Sequence, residues 1–267
     1  MDEKLRLTNV SKRFVVGTRS VVALERVDLT VQRGEFVTLV GPSGCGKSTL
    51  FNIVVGLLPP DPGGVIHLDG APQGDLLGKI AFMPQRDLLL PWRTVLDNAV
   101  LAMEIQGERR AAARRRAEAL FAEFGLQGFE HHYPQQLSGG MRQRVALMRT
   151  FLFDRDVMLL DEPFGALDAL TRAILQRWLL EVWSKFQRTI LFVTHDVDEA
   201  IFLGDRVLIM TARPGRIKLE VPVTLPRPRD PSMVTTPEFM ALKRRVLDAI
   251  EQESLKSFLA AGNGDGA

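Results

Sequence analysis

Gly41-Pro42-Ser43-Gly44-Cys45-Gly46-Lys47-Ser48 fits the spacing G-x-x-x-x-G-K-[ST], a pattern suited to gripping phosphate. Glycines without side chains let backbone N–H groups converge on phosphate oxygens, and a following helix adds the positive end of its dipole. Lys47 is spaced to reach the β and γ phosphates and the Ser48 hydroxyl to ligate Mg²⁺, with Thr49 beside them in the first helical turn. The competing reading, a glycine-rich turn with no ligand, fits less well where an apolar strand precedes the loop and a helix follows it. The loop alone does not separate a motor from a switch or a kinase. The N-K-x-D element of guanine-specific switches is absent from the sequence.

A second acidic site follows. Val157-Met158-Leu159-Leu160-Asp161-Glu162 reads as an apolar strand ending in two carboxylates, which a core strand tolerates only where its end opens onto a site. Asp161 suits the Mg²⁺ side of that site. Because strand side chains alternate, Glu162 is expected on the opposite face, near the γ-phosphate, where it could polarise the attacking water as the catalytic base. Two solvated acids at a strand terminus are the bland alternative. Leu137-Ser138-Gly139-Gly140-Met141 precedes a further helix and offers a hydroxyl and bare N–H groups, another anion site of the same kind.

Around these motifs, residues 5–40 alternate apolar and polar positions and predict antiparallel strands, with Gly17 and Gly34 as punctuation, leading into a buried strand over Phe36 to Val40. Ser48 to Leu58 predicts a helix, ended by the cluster at Pro59 to Gly64. Val65 to Asp69 and Lys79 to Met83 read as a second strand region. Thr94 to Gln136 is rich in Ala, Leu, Glu and Arg and predicts a helical lobe, broken at Gly107, Gly125 and Gly128. Thereafter Met141 to Phe153 predicts helix, Val157 to Leu160 strand, Leu170 to Phe186 helix and Thr189 to Thr194 strand, so a parallel, layered α/β core is expected. The proline-rich segment Val221 to Pro231 marks the expected end of that core. Phe239, Leu242, Val246, Leu247 and Ile250 then have helical spacing, predicting a C-terminal helix over Pro237 to Leu259 that packs back on the domain, with Gly262 to Ala267 a disordered tail.

Composition limits the function classes. The 267 residues suit one catalytic domain, and 46% hydrophobic with 25% charged residues describes an ordinary globular chain. A net charge of +2 does not point to nucleic acid or anionic lipid. The local exception, Arg109 to Arg116 with five arginines, fits a solvated helix face or a contact with lipid headgroups. The single cysteine, Cys45, excludes an internal disulfide and a multi-cysteine zinc site, and it fills a loop position to which no reactivity is assigned. His131-His132 has no partner ligands nearby and reads as a polar loop rather than a metal site. The opening Met1-Asp2-Glu3-Lys4 does not resemble a signal peptide, and no apolar stretch nears the roughly 18 to 20 residues that cross a bilayer, so any membrane role is expected to be peripheral.

Taken together, in this order and spacing, the phosphate loop, Leu137 to Met141 and Asp161-Glu162 resemble the motifs of ABC transporter ATPases, and the resemblance spans about residues 4–225. It implies an α/β fold: a P-loop NTPase core with a parallel sheet, an antiparallel β subdomain and an inserted α-helical subdomain at about 94–140. Residues 226–267 are left as a C-terminal helix and flexible tail. It implies ATP and Mg²⁺ as cofactors, with Lys47, Glu162 and His195 catalytic and Ser48, Gln85 and Asp161 on the metal side. By the same resemblance Gln85 is the glutamine that senses Mg²⁺ and water, His195 the switch histidine that contacts the γ-phosphate, and Phe164 to Asp168 the loop crossing a dimer interface. Ser138, Gly139 and Gly140 would cap the phosphate held by the opposite subunit, sandwiching two ATP molecules in a head-to-tail homodimer. Met141 stands where the family usually has Gln, removing a side-chain hydrogen bond near the sugar but no phosphate donor. Phe14 suits either adenine stacking, as the family's N-terminal aromatic does, or an ordinary core or edge position.

Leu88-Leu89-Leu90-Pro91-Trp92-Arg93-Thr94-Val95 and Phe164 to Arg172 are similar to the importer branch serving nitrate, sulfonate and taurine, and importers of vitamin precursors such as pyrimidines or riboflavin share much of this wording. The expected partners are transmembrane permease subunits, docking near Gln85 to Asn98, and an extracytoplasmic solute-binding protein, with no nucleic acid. The expected location is the cytoplasmic face of the inner or plasma membrane. Two rival functions stay open on sequence alone, a soluble ABC-type ATPase acting on DNA or ribosomes and a nucleotide-binding scaffold without turnover.

Overall fold

The computed structural model describes residues 2–17 and 19–262. Two long strands open the chain, β1 (Glu3–Val16) and β2 (Arg19–Gln32), which pair antiparallel. Gly34 adopts φ +73 just before β3 (Phe36–Val40), a turn that an L side chain rarely follows. Then come α1 (Lys47–Val54), β4 (Val65–Leu68), β5 (Ala71–Pro72) and β6 (Ala81–Met83). Three short helices, α2 (Val95–Ala99), α3 (Leu101–Ile105) and α4 (Arg110–Glu118), precede α5 (Gly139–Leu152). The second half alternates β7 (Val157–Asp161), α6 (Ala169–Phe186), β8 (Thr189–Val193), α7 (Val197–Leu203), β9 (Arg206–Met210) and β10 (Ile217–Pro222), and ends in α8 (Pro237–Gly262).

The strands form two sheets. One is antiparallel in the order β2-β1-β4-β5, and the other runs β10-β9-β3-β8-β7-β6, parallel throughout except for the antiparallel edge strand β10. The expected strand region after α1 is therefore divided, β4 joining the antiparallel sheet and β6 the parallel one.

Strand periodicity splits the apolar residues of the parallel sheet between two cores. Phe36, Met158, Leu160, Ile190 and Phe192 face the helical lobe with α5, α6, α7 and α8, while Val37, Leu39, Val157, Leu159, Leu191 and Val193 face α1 and the antiparallel sheet. Buried Lys4 bonds Asp69 at 2.8 Å and Asp156 at 2.9 Å, tying β1 to the loop after β4 and to the start of β7.

Several boundaries differ from expectation, each for a local reason. α1 stops at Val54 because Gly56 takes φ +82, before the prolines are reached. In the stretch from Thr94 to Gln136 the breaks expected at Gly107, Gly125 and Gly128 all take positive φ, but helix also stops at Val100 and after Glu118, leaving three short helices followed by turns. The core also runs past the expected end at Val221. The unforeseen strand β10 and the residue after it bury Val221 and Val223. The C-terminal helix forms as its periodicity predicts, with Phe239, Val246 and Ala249 buried and Leu242, Leu247 and Ile250 packed beside them. The expected tail beyond Gly262 lies outside the described residues.

Candidate functional site

The expected chemical residues gather at the C-terminal ends of parallel strands. Val40 of β3 leads into the phosphate loop, Met83 of β6 into Gln85, Asp161 ends β7, and Val193 of β8 leads to His195. This is the edge of an open α/β sheet at which ligands bind.

In the phosphate loop, Gly46 caps α1 with φ 111, and a Cβ there would sit 2.7 Å from Leu24 Cδ2 and 2.9 Å from the Ala23 carbonyl oxygen. Only glycine meets both demands. Lys47 folds over the loop, its Nζ donating to the carbonyls of Gly41 at 2.8 Å and Pro42 at 3.0 Å. Cys45 is buried, and burial pushes its thiol pKa up, as suits a packing residue.

Asp161 is 3% exposed. Burial raises its pKa, opposed by a hydrogen bond with Ser48 and by the charge of Lys47, while neighbouring Glu162 adds to the rise. A buried carboxylate with a hydroxyl beside it and an open phosphate loop is a donor set that fits Mg²⁺, which takes one or two protein oxygens and fills the rest of its shell with phosphate and water. Among the described residues no group of three or more His, Cys, Asp or Glu forms an all-protein cage.

The backbone that carries Glu162 is not the strand end on which the expectation relied. Glu162 lies one residue past the end of β7 in a left-handed conformation, φ 50, so the turn rather than strand alternation aims its side chain. Its N–H bonds Val193 O at 2.9 Å, and Gln143 Nε2 donates to its carbonyl at 2.8 Å. The carboxylate then meets both other expected residues: Gln85 Nε2 donates to Glu162 Oε2 at 3.2 Å, and His195 Nδ1 lies 3.4 Å from the same oxygen. These three residues line a cleft of about 630 Å³ with Asp87, Gly139 and Arg142.

Ser138 caps α5, accepting from Met141 N at 3.2 Å, and Asp168 caps α6, accepting from Thr171 N at 3.0 Å. Hydrogen bonding from Thr171 holds the Asp168 carboxyl below its ordinary range. A Cβ on Gly140 would stand 3.2 Å from Leu167 Cδ2, so the turn before α5 packs against the loop before α6. Phe14 is 37% exposed on β1, opposite Val21, with Lys12 Nζ 6.0 Å from its ring.

Four polar residues that hold the site together escape sequence reasoning. Gln143 bridges α5 to the Glu162 turn, its Oε1 also accepting from Ala166 N at 2.9 Å. Its spacing to Ala146, Leu147 and Thr150, all buried, is the one signal that would have marked it. Arg142 and Arg149 tie α5 to the Gln85 loop, Arg142 Nε donating to Asp87 Oδ2 at 3.1 Å and Arg149 Nη2 to Asp87 O at 2.7 Å. Asn98, fully buried, donates to the carbonyls of Leu90, Arg93 and Thr94 and accepts from Leu90 N at 2.7 Å. It leaves Trp92 72% and Leu88 58% exposed on the loop that it staples, whereas Leu89 turns inward. The arginine-rich stretch is mostly paired, with Arg110 and Arg114 on Asp97 and Arg116 on Glu108.

Comparison with known proteins agrees with this geometry. Residues 24–165 match the family model described as ABC transporter. An uncharacterized ABC transporter ATP-binding protein of Methanocaldococcus jannaschii is 45% identical over 96% of this chain and 95% of its own length. The aliphatic sulfonates import ATP-binding protein of Bacillus cereus is 41% identical over 93% of this chain and 96% of its own. For the formylaminopyrimidine import ATP-binding protein of Halalkalibacterium halodurans the figures are 42%, 94% and 98%. Among solved structures, a dimeric bacterial ABC transporter cassette superposes with a TM-score of 0.76 at 32% identity, covering 82% of this chain and 98% of that one. The same cassette is known in a post-hydrolysis state bound to ADP and Pi, with the same figures. With a phosphate loop, a paired Asp161-Glu162 and the Ser138 turn all on one cassette fold, the chain belongs to the ATP-binding, ATPase family of ABC transporters.

Proposed function

We propose that this chain is the energy-converting subunit of an importer for a small organic solute, and that it works as a homodimer docked on permease subunits at the cytoplasmic face of a membrane. The observation that carries the catalytic part is the convergence of Gln85 and His195 on one carboxylate oxygen of Glu162, beside the phosphate loop.

Residues 4–225 form the ATPase unit, with the lobe at about 94–140 as its helical part. In the site, the loop from Gly41 to Thr49 holds the triphosphate of ATP, with Phe14 against the adenine. Ser48, Asp161 and Gln85 hold Mg²⁺, which when bound neutralises phosphate charge. Glu162 orients the attacking water and draws off its proton, while Gln85 and His195 fix the carboxylate. His195, 68% exposed, is free to reach the γ-phosphate. The twin's Ser138, Gly139 and Gly140 cap that phosphate from the other side, and Asp168 belongs to the loop crossing between protomers. Closure of the dimer around ATP moves the permeases and hydrolysis reopens it.

Exposed Trp92 and Leu88, on a loop made rigid by Asn98, form the permease-docking surface. The names of the relatives favour a sulfonate-like solute, and the formylaminopyrimidine importer's 42% identity favours a pyrimidine as the second choice. A solute-binding protein outside the membrane completes the system. The test is ATP turnover by the purified chain against Lys47→Ala, with co-purification of a multi-span membrane protein. Turnover that is equal in both, or a chain that isolates without any membrane partner, would overturn the reading. The solute held by the binding protein of the intact complex then decides between sulfonate and pyrimidine.

A further inference from the structure

The outer side of the phosphate loop rests on the turn between β9 and β10, residues 211–216. Arg213 donates from Nε and Nη2 to the Gly44 carbonyl at 3.2 and 2.9 Å. Gly215 lies so close to the next carbonyl, that of Cys45, that a Cβ on it would collide with that oxygen. The Gly215 N–H bonds Ala23 O at 2.9 Å and its carbonyl accepts from Glu25 N at 3.0 Å, so the turn is clamped to β2 as well. Thr211 closes it, donating to Pro214 O at 2.8 Å and accepting from Arg216 N at 3.0 Å.

A peptide unit is planar and trans, so its C=O and the following N–H point in opposite directions. The Gly44 carbonyl is held outward by Arg213 and the Cys45 carbonyl packs against Gly215, which fixes the planes of both peptide units: the Cys45 N–H turns back into the loop, donating to Pro42 O at 3.3 Å, and the Gly46 N–H faces inward, the direction in which a phosphate donor must point. The turn is in its own right held from α8. Glu253, 2% exposed, accepts from Ala212 N at 3.0 Å and is paired with Lys218 at 2.9 Å and Lys256 at 2.7 Å. A path of hydrogen bonds thus runs from the C-terminal helix through residues 212–213 to the Gly44 carbonyl of the loop.

We propose that Arg213 and Glu253 are positioning residues for the triphosphate, through which the docking of α8 sets the affinity of the phosphate loop for ATP. Neither touches the nucleotide; both act by fixing the direction of peptide units in the loop. The proposal rests on the reading that Gly41 to Ser48 binds ATP.

The test is titration of the full chain with a fluorescent ATP analogue and Mg²⁺, alongside thermal melting. Arg213→Ala removes two hydrogen bonds from a charged donor and is expected to weaken binding about tenfold. Its side chain is exposed, so the melting temperature should stay close to that of the parent. Glu253→Ala is expected to weaken binding about threefold to tenfold. Because the two act in series, the double variant should bind no worse than Arg213→Ala alone, and Arg213→Lys should recover part of the loss. A residue serving stability alone would shift melting and leave the affinity of the folded chain unchanged. Unchanged affinity in Arg213→Ala, or full additivity in the double variant, overturns the proposal; if Glu253→Ala fails to fold, the Arg213 pair still decides. Failure of the unaltered chain to bind the analogue would instead overturn the ATP reading itself, and this inference with it.

Discussion

Replacing Glu162 by Gln keeps the size of the side chain and a partner for Gln85, and removes only the charge and the capacity to take a proton. The backbone at φ 50 strains Gln no more than Glu, and the three hydrogen bonds at this residue's backbone do not involve its side chain. Folding should therefore be preserved. A positioned base contributes about 10² to 10⁴ in rate, so the variant should lose about 2.7 to 5.5 kcal/mol of barrier lowering. Nucleotide affinity should stay within about threefold, because the triphosphate is held by Lys47 and loop amides rather than by Glu162. The assay is phosphate release under saturating ATP and Mg²⁺, paired with equilibrium binding of ATP. A fall in turnover below about tenfold would refute the assignment of the base, since a spectator carboxylate removed isosterically leaves the barrier nearly unchanged. A fall of the expected size with affinity lost in parallel would refute the separation of grip from chemistry.

Other expectations follow from particular contacts. Asn98→Ala takes away the acceptor of Leu90 N and the donor to Arg93 O, while Leu90 O and Thr94 O keep the backbone donors Arg93 N and Asn98 N, and should cost about 1 to 3 kcal/mol in denaturant unfolding, with permease docking weakened. Gly46→Ala must place a Cβ against Leu24 and the Ala23 carbonyl at φ 111, and calorimetry should show ATP binding abolished with about 1 to 3 kcal/mol of added strain. The raised pKa of Asp161 means that its charged form opposes folding as pH rises through that pKa. Asp161→Asn should therefore raise the melting temperature of the nucleotide-free chain at neutral pH while removing the stabilisation that Mg²⁺ with ATP gives the parent. Glu253 behaves in the opposite sense. Burial works against its charge, but hydrogen bonds from Lys256, Lys218 and Ala212 outweigh it and hold its pKa at about 2. Its stabilising contribution should be full above the ordinary value of 4.5 and fade as pH falls toward 2, a slope in acid unfolding that Glu253→Gln should flatten.

The residues proposed to carry chemistry stood out in the sequence because phosphate binding is done largely by backbone, and glycine, lysine and serine at this fixed spacing suit little except an anion. Strands β3, β7 and β8 were legible for a related reason: flanked on both faces, they read as nearly continuous apolar runs, with Thr38 the polar position inside β3. What stayed hidden depends on partners distant in the chain. Asn98 looks like any polar helix residue until the loop at Leu90 folds over it, and Arg213 like any surface arginine until β9 carries it to Gly44. The left-handed turn that carries Glu162 was not foreseen, because alternation describes the chain only while it stays in a strand and such a turn cannot be read from an acidic residue. Edge strand β10 was missed because Pro222 and Pro226 dominate its surroundings; only Val221 and Val223, apolar on alternate positions, hinted at it.

The resting position of Lys47 has a thermodynamic consequence. With its ammonium seated on the carbonyl oxygens of Gly41 and Pro42, Lys47 is not a stranded cation within the loop. Incoming nucleotide exchanges neutral oxygens for charged ones instead of satisfying a bare charge. The net gain is the difference between those two partners, and that difference grows with the number of phosphates presented. On the proposed function, a triphosphate, with more charged oxygens to offer, is therefore the better competitor for Lys47 than inorganic phosphate.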